Sequence, residues 1–130
     1  MAVLDTSFLI DILRNKKEAV GLRVELEREG HLFAAAPTVY ELWQGALQSR
    51  LPWQEKSKVD GILSSVSVLD LDARSSKRAA EIAVELSRKG ESIETEDLMI
   101  AGIALSNGEM VVTRDPHFSR IPGLKVLKYS

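Results

Sequence analysis

The chain has no cysteine, which removes disulfides, thiolate nucleophiles and cysteine-ligated zinc in one step. Its two histidines, His31 and His117, are too few for a histidine-rich metal site. Neither GxGxxG nor GxxxxGKS/T occurs, so the glycine loops that cradle nucleotide phosphates are missing. No stretch is long and apolar enough to span a bilayer. A signal peptide is not expected either, because Asp5 and Asp11 interrupt the first apolar residues and Arg14, Lys16 and Lys17 follow them rather than precede them. These absences set the expectation of a cytoplasmic protein with no membrane partner.

What is present suits one globular domain over residues 1–130, since 45% of the residues are hydrophobic and 28% charged. The net charge of −2 says little about partners, but its distribution is uneven. Residues 114–130 carry Arg114, Arg120, Lys125 and Lys128 against the single acid Asp115, whereas 91–97 carry four acids and no base.

Periodicity gives the layout. Ala2-Val3-Leu4 reads as a buried parallel strand that stops at Asp5 and turns into a helix over 6–13, with Phe8, Leu9, Ile12 and Leu13 at helical spacing. A helix over 18–29 ends at Gly30, and a strand over 31–35 leads through Pro37 into a helix over 38–49. Val39, Leu42, Trp43, Ala46 and Leu47 form the packed side of that helix, with Thr38, Glu41, Gly45 and Gln48 on the other face. Helices over 54–64, 73–89 and 96–106 follow, with strands at 66–71, 110–113 and 125–128. Asp72 is expected to cap the helix that Gly90 closes, Thr95 to cap the next, and the 96–106 helix to be buried on most of its circumference. Strands alternating with helices specify an α/β fold, a three-layer α/β/α sandwich with a mainly parallel sheet of about five strands.

That layout places four acids together. Asp5 and Asp115 directly follow strands, and Glu41 and Asp97 lie in the first turns of helices, so right-handed crossovers bring all four to one edge of the sheet. Singly, each has a plain explanation as a cap or a dipole partner. Jointly they do not, because carboxylates about 4 Å apart repel by roughly 4 kcal/mol per pair at an effective dielectric near 20. A hard divalent cation, Mg²⁺ or Mn²⁺, relieves that repulsion with an all-oxygen shell. Such a site suits phosphoryl chemistry, with a metal-activated water as the nucleophile.

Several stretches together resemble a known family: Val-Leu-Asp-Thr-Ser-Phe-Leu-Ile at 3–10, Glu41 early in a helix, Asp97-Leu-Met-Ile-Ala, and Thr113-Arg-Asp-Pro-His-Phe with Ile121-Pro-Gly-Leu. The chain is similar to the PIN-domain ribonucleases, and among them to the VapC-type toxins of toxin–antitoxin pairs, over essentially its whole length. The resemblance implies that Asp5, Glu41, Asp97 and Asp115 are the catalytic and metal-holding acids, supported by Thr6, Ser7 and Thr113. It also implies cleavage of single-stranded or loop RNA, a homodimer, and a small antitoxin that inserts a chain segment into the groove. One departure is His117, where many relatives have an acid or asparagine two positions after the fourth acid.

Outside the pocket, Arg114, Arg120, Lys16 and Lys17 are candidates for holding the RNA backbone, with an ordinary solvated surface as the bland alternative. Trp43 and Trp53 are assigned to packing in preference to base stacking. Glu94 and Glu96 are expected to deepen the negative potential without ligating. Two other functions compete. A non-catalytic PIN-like module that binds RNA or a partner would be favoured by loss of an acid, and none is lost. A phosphatase of the haloacid dehalogenase type would need an aspartate two residues after Asp5, where Ser7 stands, and a phosphorelay receiver would need a lysine that is missing.

Overall fold

The computed structural model describes residues 1–129. Its strands are β1 (Ala2–Leu4), β2 (Leu32–Ala35), β3 (Ser67–Leu69), β4 (Met110–Thr113) and β5 (Val126–Lys128). They form one sheet in the order β3-β2-β1-β4-β5, and every pairing is parallel. The helices are α1 (Thr6–Leu13), α2 (Lys17–Glu29), α3 (Ala36–Leu47), α4 (Pro52–Leu63), α5 (Ala73–Arg88) and α6 (Thr95–Ser106), with a 3-10 turn at Pro116–Arg120. The expected sandwich is therefore present, with a sheet that is wholly parallel.

Alternation along the short strands divides the core in two. Ala2, Leu4, Ala34 and Val112 face one side, where Phe8, Leu9, Ala19, Leu26, Leu42, Val59 and Ile62 of α1 to α4 cover them. Val3, Ala35 and Val111 face the other, under Ile82 and Leu86 of α5, Ile100 and Ile103 of α6, and Phe118. Because β1 connects toward β2 and β4 toward β5, the strand order reverses between β1 and β4. In open parallel sheets that reversal opens a crevice at the carboxyl ends of the strands, and Asp5 and Asp115 follow those two strands.

The boundaries shift in informative ways. The third strand shrinks from 66–71 to three residues, because β2 offers partners only for Ser67, Val68 and Leu69. Thr95 is not a cap: it is the first residue of α6, and Glu94 precedes it without a side-chain capping bond. Asp72 caps α5 as expected, accepting from the Ser75 backbone N–H at 2.8 Å. Gly90, at φ 69°, takes the left-handed conformation that closes that helix. Leu47 is exposed rather than packed. Trp53, assigned to packing, is 82% exposed; it lies in the first turn of α4 under the Lys56 ammonium, 4.7 Å from the ring centre.

One contact sets the height of α6 over α5. A Cβ added at Gly102 would stand 2.5 Å from the Ser75 carbonyl oxygen and 3.0 Å from the Ala79 backbone nitrogen, so the two helices touch backbone to backbone there. Because α6 also carries Asp97, this contact helps to place the site. Gly102→Ala is expected to push the helices apart and cost about 1–3 kcal/mol, the usual penalty of overpacking. Thermal unfolding followed by circular dichroism checks this, and an unchanged melting temperature would refute it.

Candidate active site

Asp5 is nearly inaccessible, at 3% exposed, and its carboxylate is fully engaged by its neighbours. Oδ1 caps α1 by accepting from the Phe8 N–H at 2.9 Å. The Ser7 hydroxyl lies 2.8 and 2.9 Å from the two carboxylate oxygens. Thr113 donates its hydroxyl to Oδ2 and in turn accepts from the Asp115 N–H at 2.9 Å. One threonine at the end of β4 thus joins the first acid to the backbone of the fourth.

Glu41 enters from α3. The Thr6 hydroxyl lies 2.7 Å from its Oε1 and 3.0 Å from the Thr38 hydroxyl. Thr38, placed by periodicity on the face away from the core, is fully buried instead, because this face of α3 packs on the start of α1. Asp115 accepts from the His117 N–H at 2.9 Å, capping the 3-10 turn, and the His117 ring nitrogen Nδ1 is 3.1 Å from the same oxygen. The structure thus brings Thr6, Ser7 and Thr113 against the acids, and adds His117 as a direct neighbour of Asp115.

Asp97 is the least relieved of the four. Burial, then the charges of Asp115, Asp5, Glu41 and Glu94, push its carboxyl up to about 7. Burial also pushes Asp5 up to about 6, with the Asp115 charge adding to it, against the hydrogen bonds from Thr113, Phe8 and Ser7 that pull it down. Asp97 is therefore within electrostatic reach of the other three acids, and Asp5 of Asp115. Among the described residues, no lysine or arginine forms an ion pair with any of them.

Among the described residues no three His, Asp or Glu side chains stand close enough to make a ready-formed cation cage. The donor set itself nevertheless suits a hard divalent ion: it is all oxygen, its first member is held rigidly by hydroxyls, and its charge is uncompensated. Two concavities of the surface lie elsewhere. One of about 580 Å³ is lined by Arg74, Lys77, Arg78 and Ser106, and one of about 710 Å³ by Ala80, Val84 and Arg88, and neither includes any of the four acids.

The basic candidates separate into distinct environments. Arg114 Nε is 2.9 Å from Asp11 Oδ2, and Lys16 Nζ is 3.4 Å from Asp11 Oδ1. Arg120 Nη1 reaches the Glu91 and Ser92 carbonyl oxygens, tying down the loop before α6. Lys17 opens α2 and is exposed. Asp11 was not among the candidates read from the sequence. It is 1% exposed and also accepts from the Tyr129 hydroxyl at 2.7 Å. Burial alone would raise its pKa, but the bonds from Tyr129 and Arg114 outweigh burial and hold it below the ordinary carboxylate value. Its one sequence signal was position: Asp11 lies three residues after Phe8, on the side of α1 that faces the core.

A model of the PIN domain matches residues 2–124. Over 129 residues the chain is 34% identical to the tRNA(fMet)-specific endonuclease VapC of Shigella flexneri, covering 98% of this chain and 97% of that one. It is 36% identical over 125 residues to the enzyme of the same name from Salmonella typhimurium, covering 95% and 94%. Among solved structures, VapBC2 of Rickettsia felis, bound to a DNA fragment from its promoter, superposes with a TM-score of 0.93 at 25% identity, covering all of both chains.

The raised carboxyls fix the sign of a pH effect. Their ordinary value is 3.8, and folding favours their protonated forms. Stability from this pair is therefore fully present below that value and lost as pH rises through about 6 for Asp5 and about 7 for Asp97. In metal-free buffer Asp97→Asn is expected to melt higher than wild type above pH 7, with the advantage disappearing near pH 4. Adding Mg²⁺ should raise the melting temperature of wild type more than that of the variant. Differential scanning fluorimetry across pH, with and without Mg²⁺, measures both, and equal responses of the two proteins to Mg²⁺ would sink the metal assignment.

Proposed function

The chain belongs to the PIN-domain family and is an endoribonuclease of VapC type, the toxin of a toxin–antitoxin pair; on that premise we propose that Asp5, Glu41, Asp97 and Asp115 form its divalent-metal pocket, with Mg²⁺ or Mn²⁺ as the ion. The observation that carries this reading is the burial of Asp97 beside the charges of Asp115, Asp5 and Glu41, which together raise its carboxyl to about 7. A bound divalent ion supplies an activated water and a charge sink for the departing ribose oxygen. No side-chain nucleophile is required.

The residues divide the work. Asp5 is the fixed donor: Ser7, Thr113 and the Phe8 N–H hold both its oxygens in place. Thr113 couples that donor to the position of Asp115. Thr6 orients Glu41 from across the pocket. Asp97, at the start of α6, brings the charge that most needs a cation. His117, against Asp115, steers that carboxylate. The names of the Shigella and Salmonella relatives support initiator tRNA, tRNA(fMet), as the substrate. The partners proposed are a cognate antitoxin and a second copy of the chain, in the cytoplasm, with residues 1–130 acting as one domain. The presence of all four acids favours this enzyme over a non-catalytic PIN-like module.

Wild type with Mg²⁺ is expected to cut an initiator tRNA transcript into fragments ending in 5′-phosphate and 3′-hydroxyl. Glu41→Gln or Asp97→Asn should lower kcat/KM by about 100-fold or more, the scale of a lost electrostatic contact at the transition state. Thr113→Val, which removes only support for Asp5, should cost about 10- to 100-fold. Fragment ends read by phosphatase and ligase sensitivity decide the chemistry, and 2′,3′-cyclic phosphate products would overturn it.

A further inference from the structure

Away from the four acids one more carboxylate is buried among the described residues, and it meets two cations. Asp11 lies on the inner side of α1, with Arg114 and Tyr129 on one oxygen and Lys16 near the other. A buried ion pair is a weak source of stability, because desolvation consumes much of the attraction. The geometry points to what this one achieves. Asp11 meets Arg114 through Nε, the inner edge of the guanidinium, and no described contact uses the two outer nitrogens. The Arg114 side chain remains 45% exposed and that of Lys16 50%, whereas that of Asp11 is 2% exposed. The acid is out of reach and its charge is offset; what reaches solvent is the far ends of two cations.

Their location gives this arrangement a purpose. Arg114 stands in the chain between Thr113, whose hydroxyl binds Asp5, and Asp115. With Lys16, Glu18, Ala19 and Tyr129 it lines a pocket of about 270 Å³. An RNA strand that brings a phosphodiester to four acids meets a repelling field, and a neighbouring phosphate has to be held against it. A guanidinium fixed at its inner edge offers its outer fork to phosphate oxygens in a preset orientation. Glu18, on the rim, is the one exposed acid of the lining.

We propose that Asp11 is a positioning residue for RNA, holding Arg114 and Lys16 as a two-cation grip on a backbone phosphate that flanks the cleavage pocket. The inference rests on the endoribonuclease reading. It goes beyond that reading by giving a residue outside the metal pocket a part in substrate binding. Phosphate contacts of this kind set the register of the strand without reading its bases.

The test is steady-state cleavage of the initiator tRNA transcript with Mg²⁺ over a potassium chloride series, together with melting temperatures. Arg114→Gln is expected to raise KM about tenfold while kcat stays within about twofold, and to flatten the dependence of log(1/KM) on log[salt] by about 0.7 for one lost phosphate contact. Arg114→Lys, which keeps the charge but loses the fork and its anchor, should also raise KM. Asp11→Asn should do the same with Arg114 intact; if that variant fails to fold, Arg114→Lys decides. Asp72→Ala, which removes the distant cap of α5, should lower the melting temperature and leave KM and the salt slope at wild-type values. Wild-type KM and slope in both Arg114 variants would overturn the inference while leaving the nuclease standing. So would those values accompanied by weakened antitoxin binding, which would reassign the grip to a protein carboxylate. KM changes that track melting temperature, with Asp72→Ala included, would reduce Asp11 to a structural tie. A wild-type protein that cuts neither this transcript nor total cellular RNA would overturn the nuclease reading and the inference together.

Discussion

The hydrogen bond from the Thr113 hydroxyl to Asp5 carries more of this architecture than any other single contact. It crosses from the end of β4 to the end of β1, the parallel neighbours between which the strand order reverses. The same oxygen receives the Asp115 N–H, so a displacement of either strand end moves both acids. Glu41 depends on a separate hydroxyl pair, Thr6 and Thr38, one of which begins α1 immediately after Asp5. Hydroxyls rooted in rigid elements thus hold Asp5 and Glu41 in place. Keeping carboxylates this close without a counter-charge costs stability, which is the reason a divalent cation is proposed for them.

Much of this was legible in advance, for a local reason. An acid directly after a buried strand, or near the start of the following helix, is placed largely by backbone topology, so Asp5, Glu41, Asp97 and Asp115 could be grouped without knowing any side-chain contact, although α3 starts at Ala36 and puts Glu41 in its second turn and not its first. The helices were equally legible; α1 and β4 have the boundaries that periodicity and turn residues indicate. Composition likewise anticipated the burial of α6, whose small residues let it lie against α5.

What stayed hidden depends on partners far away in sequence. Asp11 read as an interruption of an apolar stripe, because its hydroxyl partner Tyr129 lies 118 residues on and its guanidinium partner 103. Thr38 appeared to be a surface residue since its hydrogen-bonding neighbour is 32 positions earlier. Trp53 was misplaced for the opposite reason. Aromatic content suggests core, yet α4 sends only Val59 and Ile62 fully inward, and Lys56 covers the indole from its own helix. Pattern fixes which face an element buries; it does not say how far that face extends toward the ends of the element.

Both margins of the sheet are also notable, since β3 and β5 contribute just three residues each. A foreign polypeptide that tried to lengthen the sheet by strand addition would find too little free ladder to align on, which discourages runaway self-assembly through the edges of a parallel sheet.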